Sequence, residues 1–221
     1  MLQRFHLPKS DRLLGPPPDD TDFAPEQGGW RRLREMGPRT LMVIGSLAGV
    51  PLSALFAYAW SRIPGTALTF SFDVMSLGRW GPVLLPLLVI LTMVVFFAVL
   101  IFVHELIHAL ACPGFGLTSA TFLGVWPSKI LAYASHNGPI SFRRGIFVGM
   151  APFLVLSVAP LVVAGAGGPH WQLLTLTSVM NSMVCGGDVV ICLMFSSQIP
   201  HDAMLRNKGW DTWWRPNPHP R

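Results

Sequence analysis

The chain has 221 residues, 51% of them hydrophobic and 12% charged, and a formal net charge of +5. Soluble domains carry about 25% charged residues, so this composition excludes an ordinary soluble domain and points to a membrane protein. The basic excess sits beside apolar runs, where topology and anionic headgroups account for it, and no nucleic acid is expected as a partner.

Residues 1–38 are polar and rich in proline, with Gly15-Pro16-Pro17-Pro18-Asp19-Asp20 at their centre. They predict a disordered, basic cytosolic tail that buries no core. A first apolar run, residues 39–61, is long enough to span a bilayer and reads as an accessory transmembrane helix. Ala57-Tyr58-Ala59 resembles a signal-peptidase site, but the polar region ahead of the run is too long for a signal peptide, so an uncleaved anchor is expected. A second run, Gly81 to Cys112, exceeds the ~20 residues a span needs and closes at Pro113-Gly114. Residues 116–142 carry β-branched and aromatic residues and an Asn137-Gly138 turn signal, which predict a small β-hairpin at the membrane surface. A third span from about Gly145 to Gly165 contains Pro152 and Pro160, so it should kink. A fourth runs from about Trp171 to Ser197, followed by a polar cytosolic tail, residues 201–221. The expected fold is therefore an all-α polytopic membrane protein: four transmembrane helices, a hairpin between spans two and three, and a three-helix catalytic core over residues 80–200.

Orientation follows from the cations. The N-terminal tail through Arg39, the 113–144 loop and the C-terminal tail hold 14 of the 16 Lys and Arg residues, and the opposite side holds Arg62 and Arg79. The positive-inside rule places both termini in the cytosol of a multi-pass cell-membrane protein, with Trp60, Trp80 and Trp171 as an outer aromatic belt.

The chemistry centres on Phe102-Val103-His104-Glu105-Leu106-Ile107-His108, an HExxH arrangement inside the second apolar run. Histidines four apart on a helix share one face and can grip one metal ion, and the glutamate between them reaches a water on that metal. Ionisable groups in a lipid-soluble segment are costly, so function is the default explanation. Seven histidines and three glutamates in this length produce the motif by chance with an expectation of ~0.003. A zinc site needs a third protein ligand. After Glu105, Asp188 is the one acidic residue within a span, and at ~1.5 Å per residue it lies within about two turns of the histidine level. Gly186-Gly187 loosens the backbone beside it. His104, His108 and Asp188 form a His₂-carboxylate site, while Ser178, Asn181 and Ser182 share a face that can line a water route. Buried histidines bonded to carbonyls, with Glu105 as counter-ion, are the plain structural alternative.

Three free-standing cysteines give no disulfide framework. Cys112 continues the histidine face, and Cys185 and Cys192 flank Asp188. Thiolates there would close the metal site, as in a transporter or sensor, although small-residue packing explains them as well. His136 and His201 lie on the correct side to help the site, with a surface role as the alternative.

These residues resemble the membrane-embedded zinc metalloproteases related to the site-two protease, in particular the bacterial zincin-peptidase branch. The matching parts are His104-Glu105-Leu106-Ile107-His108-Ala109, the segment with Gly124-Val125-Trp126-Pro127, Ala151-Pro152-Phe153, and Asn181 with Gly187-Asp188. The resemblance covers roughly residues 80–210. It implies Zn²⁺ held by His104, His108 and Asp188, with Glu105 as catalytic base and Asn181 as a substrate-positioning group. The chain departs from that family after Asn181, where no proline intervenes, and after Asp188, where Val189 follows. An interhelical hydrogen bond is the competing role for Asn181. The expected activity is hydrolysis of a peptide bond in a membrane-protein or peptide substrate near the cytosolic leaflet. The hairpin would receive the unwound substrate as an added strand or simply plug the cytosolic mouth. A metal transporter or sensor, and a catalytically silent scaffold, are the alternatives.

Overall fold

The computed structural model describes residues 14–66 and 75–217. The first thirteen residues of the expected N-terminal tail and the last four of the C-terminal tail lie outside the described residues.

The structure is mostly helical. Helix α1 (Pro38–Ser61) starts at the Gly37-Pro38 step, where proline's missing N–H costs nothing in the first turn. Helix α2 (Gly81–Ala111) also opens with proline and ends as Cys112 turns extended ahead of Pro113. Helix α3 (Phe142–Pro152) is capped by Ser141, whose hydroxyl accepts from the Arg144 N–H. It continues through a π-helical turn, Phe153–Val158, into α4 (Ala159–Gly165). Where a proline kink is expected, the chain forms a widened turn directly after Pro152, and the Val148 carbonyl, four residues before that proline, bonds His108 Nδ1 instead.

These three stretches are long and apolar enough to cross a membrane. The expected fourth span is two helices, α5 (Gln172–Val184) and α6 (Gly186–Gln198), meeting at Cys185 with a 44° bend. The described residues thus hold three such helices, and a fourth span, as expected, if the bent pair counts as one. The most apolar window of α2 has a mean hydropathy of 3.1, and only 6% of it is buried. Val94, Val95, Phe102 and Leu110 face outward, the inverse of a soluble helix and compatible with a membrane protein.

Helix α1 is packed into the structure rather than attached to it. A Cβ added at Gly49 would fall on the Met183 carbonyl oxygen, and one at Gly186 on the Gly45 carbonyl oxygen. Glycine at these positions lets α1 lie directly against the break between α5 and α6. Phe56 and Trp60 of α1 join Ala164 and Val179 in a buried apolar cluster.

The sheet content corrects the all-α expectation. Strands β2 (Thr121–Trp126) and β3 (Leu131–His136) form the expected antiparallel hairpin. Its turn is Pro127–Lys129, however, and Asn137-Gly138 instead leads the chain into a second sheet. That sheet has the order β1-β6-β5-β4, from Arg31–Arg32, Asp211–Arg215, Met204–Lys208 and Ile140–Ser141. Strands β5 and β6 join through Gly209-Trp210, with Gly209 at φ 60, the left-handed value a two-residue hairpin turn requires of glycine.

Residues 14–38 and 201–217 are accordingly ordered elements, not free tails. Leu33, Phe142, Ile199, Ala203 and Leu205 form a buried core beneath the second sheet. The Gly15 N–H donates to Val125, the Tyr133 hydroxyl to Pro16, and Asn137 Nδ2 to Pro18, so the proline-rich stretch straps the hairpin. Arg206 ties the three parts together: Nε donates to Asn137, a terminal nitrogen pairs with Asp20 at 2.7 Å, and the guanidinium covers the Phe23 ring. At the hairpin tip Trp126 meets Trp210, whose indole donates to Met36 just ahead of α1. The hairpin thus reaches from the end of α2 toward the start of α1. Between it and the helices lies a cavity of about 530 Å³.

Candidate metal centre

Helical spacing delivers His104 and His108 one turn apart from α2, and the α5–α6 break delivers Asp188 from the first turn of α6. His104 is 2% and His108 8% exposed. Their Nε2 atoms stand 3.1 Å apart. The Asp188 carboxylate meets both: Oδ2 lies 3.1 Å from His104 Nε2, and Oδ1 lies 3.2 Å from His108 Nε2.

The far side of each ring decides what those distances mean. His108 Nδ1 lies 2.7 Å from the Val148 carbonyl, which only accepts, so Nδ1 carries the proton. His104 Nδ1 lies 2.9 Å from Asn181 Oδ1. The Asn181 amide is oriented in turn, because Nδ2 donates to the Pro152 carbonyl at 3.0 Å and to Ser157 Oγ at 2.9 Å. Oδ1 therefore accepts from His104, and Nδ1 is again the protonated nitrogen. In their neutral form both imidazoles then present bare Nε2 lone pairs to each other and to a carboxylate. Three acceptors converge with no proton to share.

A cation resolves this convergence. Tetrahedral zinc with nitrogen and oxygen ligands at about 2.0–2.1 Å separates its ligand atoms by roughly 3.3–3.4 Å, close to the three spacings found here. Asp188 Oδ2 is buried and has no hydrogen-bond partner, as expected of an atom whose partner is a metal. The donor set and its outer contacts fit zinc.

Glu105 lies off the ligand face, lines the cavity, and faces the main-chain N–H of Ala134 on β3. A carboxylate in that place can take a proton from a water beside the metal. Every residue of β3 borders the same cavity, so an extended backbone fits beside the site.

Asn181 corrects one expectation. It is fully buried behind His104, and its amide is used up on His104, Pro152 and Ser157, so it orients a ligand instead of meeting substrate. Ser178 and Ser182 are likewise fully buried, and their hydroxyls donate to the Ser157 and Val179 carbonyls rather than lining a water route. Cys185 is the thiol the structure brings to the site: its Sγ and ligand atoms of His104 and Asp188 lie within 4.8 Å of one another, and Asn181 Nδ2 reaches it at 3.3 Å. Cys192 instead packs against the Ile146 carbonyl, and Cys112 ends α2, where the Arg144 guanidinium bonds its carbonyl. His136 is buried at the hairpin base against Thr121, which corrects the surface reading, and its burial pushes its pKa down. His201 stacks on Phe142 at 5.0 Å, away from the metal ligands. Pro152 and Ser157, which set the amide, were missed; the proline was visible in the sequence, but its carbonyl's partner was not.

Residues 97–204 match the family described as "Putative zincin peptidase". That segment contains His104, Glu105, His108, Asn181 and Asp188, and the match supports a zinc metallopeptidase. No curated protein and no solved structure matches the chain.

Proposed function

We propose that this chain is an intramembrane zinc endopeptidase, related to the site-two protease, that cleaves a membrane-protein or peptide substrate near the cytosolic leaflet. The observation that carries this reading is the convergence of His104 Nε2, His108 Nε2 and the Asp188 carboxylate beside Glu105 in one cavity. A bound zinc ion supplies Lewis acidity at that point. The Glu105 carboxylate accepts a proton from the attacking water and returns it to the leaving amine. Asp188 and the two imidazoles hold their lone pairs inward, and Asn181 and Val148 keep the imidazole protons on the outer nitrogens. A helical substrate hides its carbonyls in its own hydrogen bonds, so the scissile stretch unwinds and adds to β3 as an extended strand. The four apolar segments lie in the cell membrane with both termini in the cytosol, an orientation supported by the cation distribution.

Replacing Glu105 with Gln keeps the ligand set and removes the base. Zinc binding should persist, while cleavage, followed by comparing membrane proteomes of cells carrying either form, should fall by about 10²-fold or more. Cleavage at the wild-type rate contradicts the proposal.

The nearness of Cys185 to His104 and Asp188 favours a second reading, a closed, thiolate-bearing metal site of a transporter or sensor. Under the protease reading Cys185→Ser leaves zinc binding and cleavage within about threefold of wild type, well short of the 10–100-fold losses that follow removal of supporting residues. Loss of the metal in that variant would favour the closed site.

A further inference from the structure

The site's support does not stop at Asn181. The Trp60 indole N–H donates to Ser178 Oγ at 2.8 Å, and Ser178 Oγ donates to the Ser157 carbonyl at 2.8 Å. Ser157 Oγ accepts from Asn181 Nδ2, and Asn181 Oδ1 accepts from His104 Nδ1. Every residue of this chain is sealed: Trp60 is 1% exposed, Ser157, Ser178 and Asn181 0%, and His104 2%. It joins four elements, from α1 through α5 and the π-helical turn to α2. The π-helical turn follows Pro152 directly, and Asn181 Nδ2 bonds both the Pro152 carbonyl and the Ser157 hydroxyl. π-helical turns concentrate at functional sites, and a buried polar chain with each member satisfied is rigid.

We propose that Ser157, Ser178 and Trp60 are positioning residues of the metal centre: through Asn181 they hold His104 in the tautomer that leaves Nε2 bare for the metal. The proposal rests on the zinc reading above. It makes α1 part of the centre, although α1 lies wholly outside the residues that match the peptidase family. Asn181 turned the other way would offer an N–H to His104 Nδ1, move the ring proton to Nε2, and block the ligand position. The Pro152 carbonyl, which only accepts, forbids that turn, the Ser157 hydroxyl holds the amide from a second side, and Trp60 holds the Ser178 hydroxyl on the Ser157 carbonyl.

The test uses the full chain in lipid nanodiscs, with zinc affinity measured by competition against a chromophoric chelator. Histidine ring ¹⁵N shifts report the tautomer of His104 in the metal-free protein at alkaline pH. Ser157→Ala removes one of the bonds that orient the amide, and Trp60→Phe keeps the ring while removing its N–H. Trp171→Phe, at an exposed position, is the control. Zinc affinity should fall by about tenfold in Ser157→Ala and by a smaller factor in Trp60→Phe, with His104 moving from the pure Nδ1–H form to a mixture. The control should change neither. Folded variants that keep wild-type affinity and the pure tautomer would overturn the proposal while leaving the zinc reading intact. A wild-type chain that binds no zinc would overturn both.

Discussion

At the scale of single residues, the candidate metal centre was legible because its logic is local. Two histidines four apart need only a helix to share a face, and Asp188 was the one carboxylate at matching depth. What the sequence could not display was the outer ring of contacts. Asn181 was visible as a polar residue in an apolar run, but its partners, Pro152 and Ser157, lie 29 and 24 residues away and join it only after folding. A half-buried carboxylate, Glu35, shows how far the segment ahead of α1 departs from a solvated tail. Its Oε2 accepts the Thr212 N–H at 2.7 Å, and burial, outweighing that bond, raises its pKa above the ordinary 4.5. Between the ordinary and the raised pKa the folded chain holds a proton that the unfolded chain has released, so stability present below pH 4.5 is lost as pH rises through that interval. Glu35→Gln retains an acceptor for Thr212 and removes the titration. The thermal midpoint of the variant relative to wild type should climb as the pH is raised above 4.5. A difference independent of pH would refute the assignment.

At the scale of elements, the apolar runs were legible and their junctions were not. Helices α1 and α2 lie where composition and proline punctuation place them. The bent α5–α6 pair was read as one span, because Gly186-Gly187 signals looseness without stating an angle. At that bend α1 approaches so closely that neither Gly49 nor Gly186 can carry a Cβ. The opposing terms at Gly49 decide a prediction. Alanine in a helix interior is favoured over glycine by about 1 kcal/mol, yet overpacking costs about 1–3 kcal/mol. Here the added carbon meets a backbone carbonyl, which cannot step aside, so packing wins. Gly49→Ala should lower the thermal midpoint, and the same change at Gly37, with nothing within 4 Å of its added Cβ, should not. A Gly49→Ala chain as stable as wild type would show that α1 does not brace the break.

At the scale of the whole molecule, strand pairings distant in sequence made two apparent tails into one sheet. Strand β1 is two residues long, and its partner residues Trp213 and Trp214 lie more than 180 positions later, so no periodic pattern in either segment announces the pairing. Arg206 then locks the sheet, the hairpin and the proline-rich strap together, and with Trp210 it lines the side of the cavity away from the helices. The outcome is a candidate metal centre walled by apolar helices on one side and by a folded cap built from residues 14–38 and 201–217 on the other. Everything chemical in this arrangement depends on Asp188 completing the pair of histidines. The most direct measurement is the zinc content of the purified full chain beside that of Asp188→Ala. The account predicts one zinc per wild-type chain and a drop in affinity of at least about tenfold in the variant; zinc retained by Asp188→Ala at full strength would contradict it.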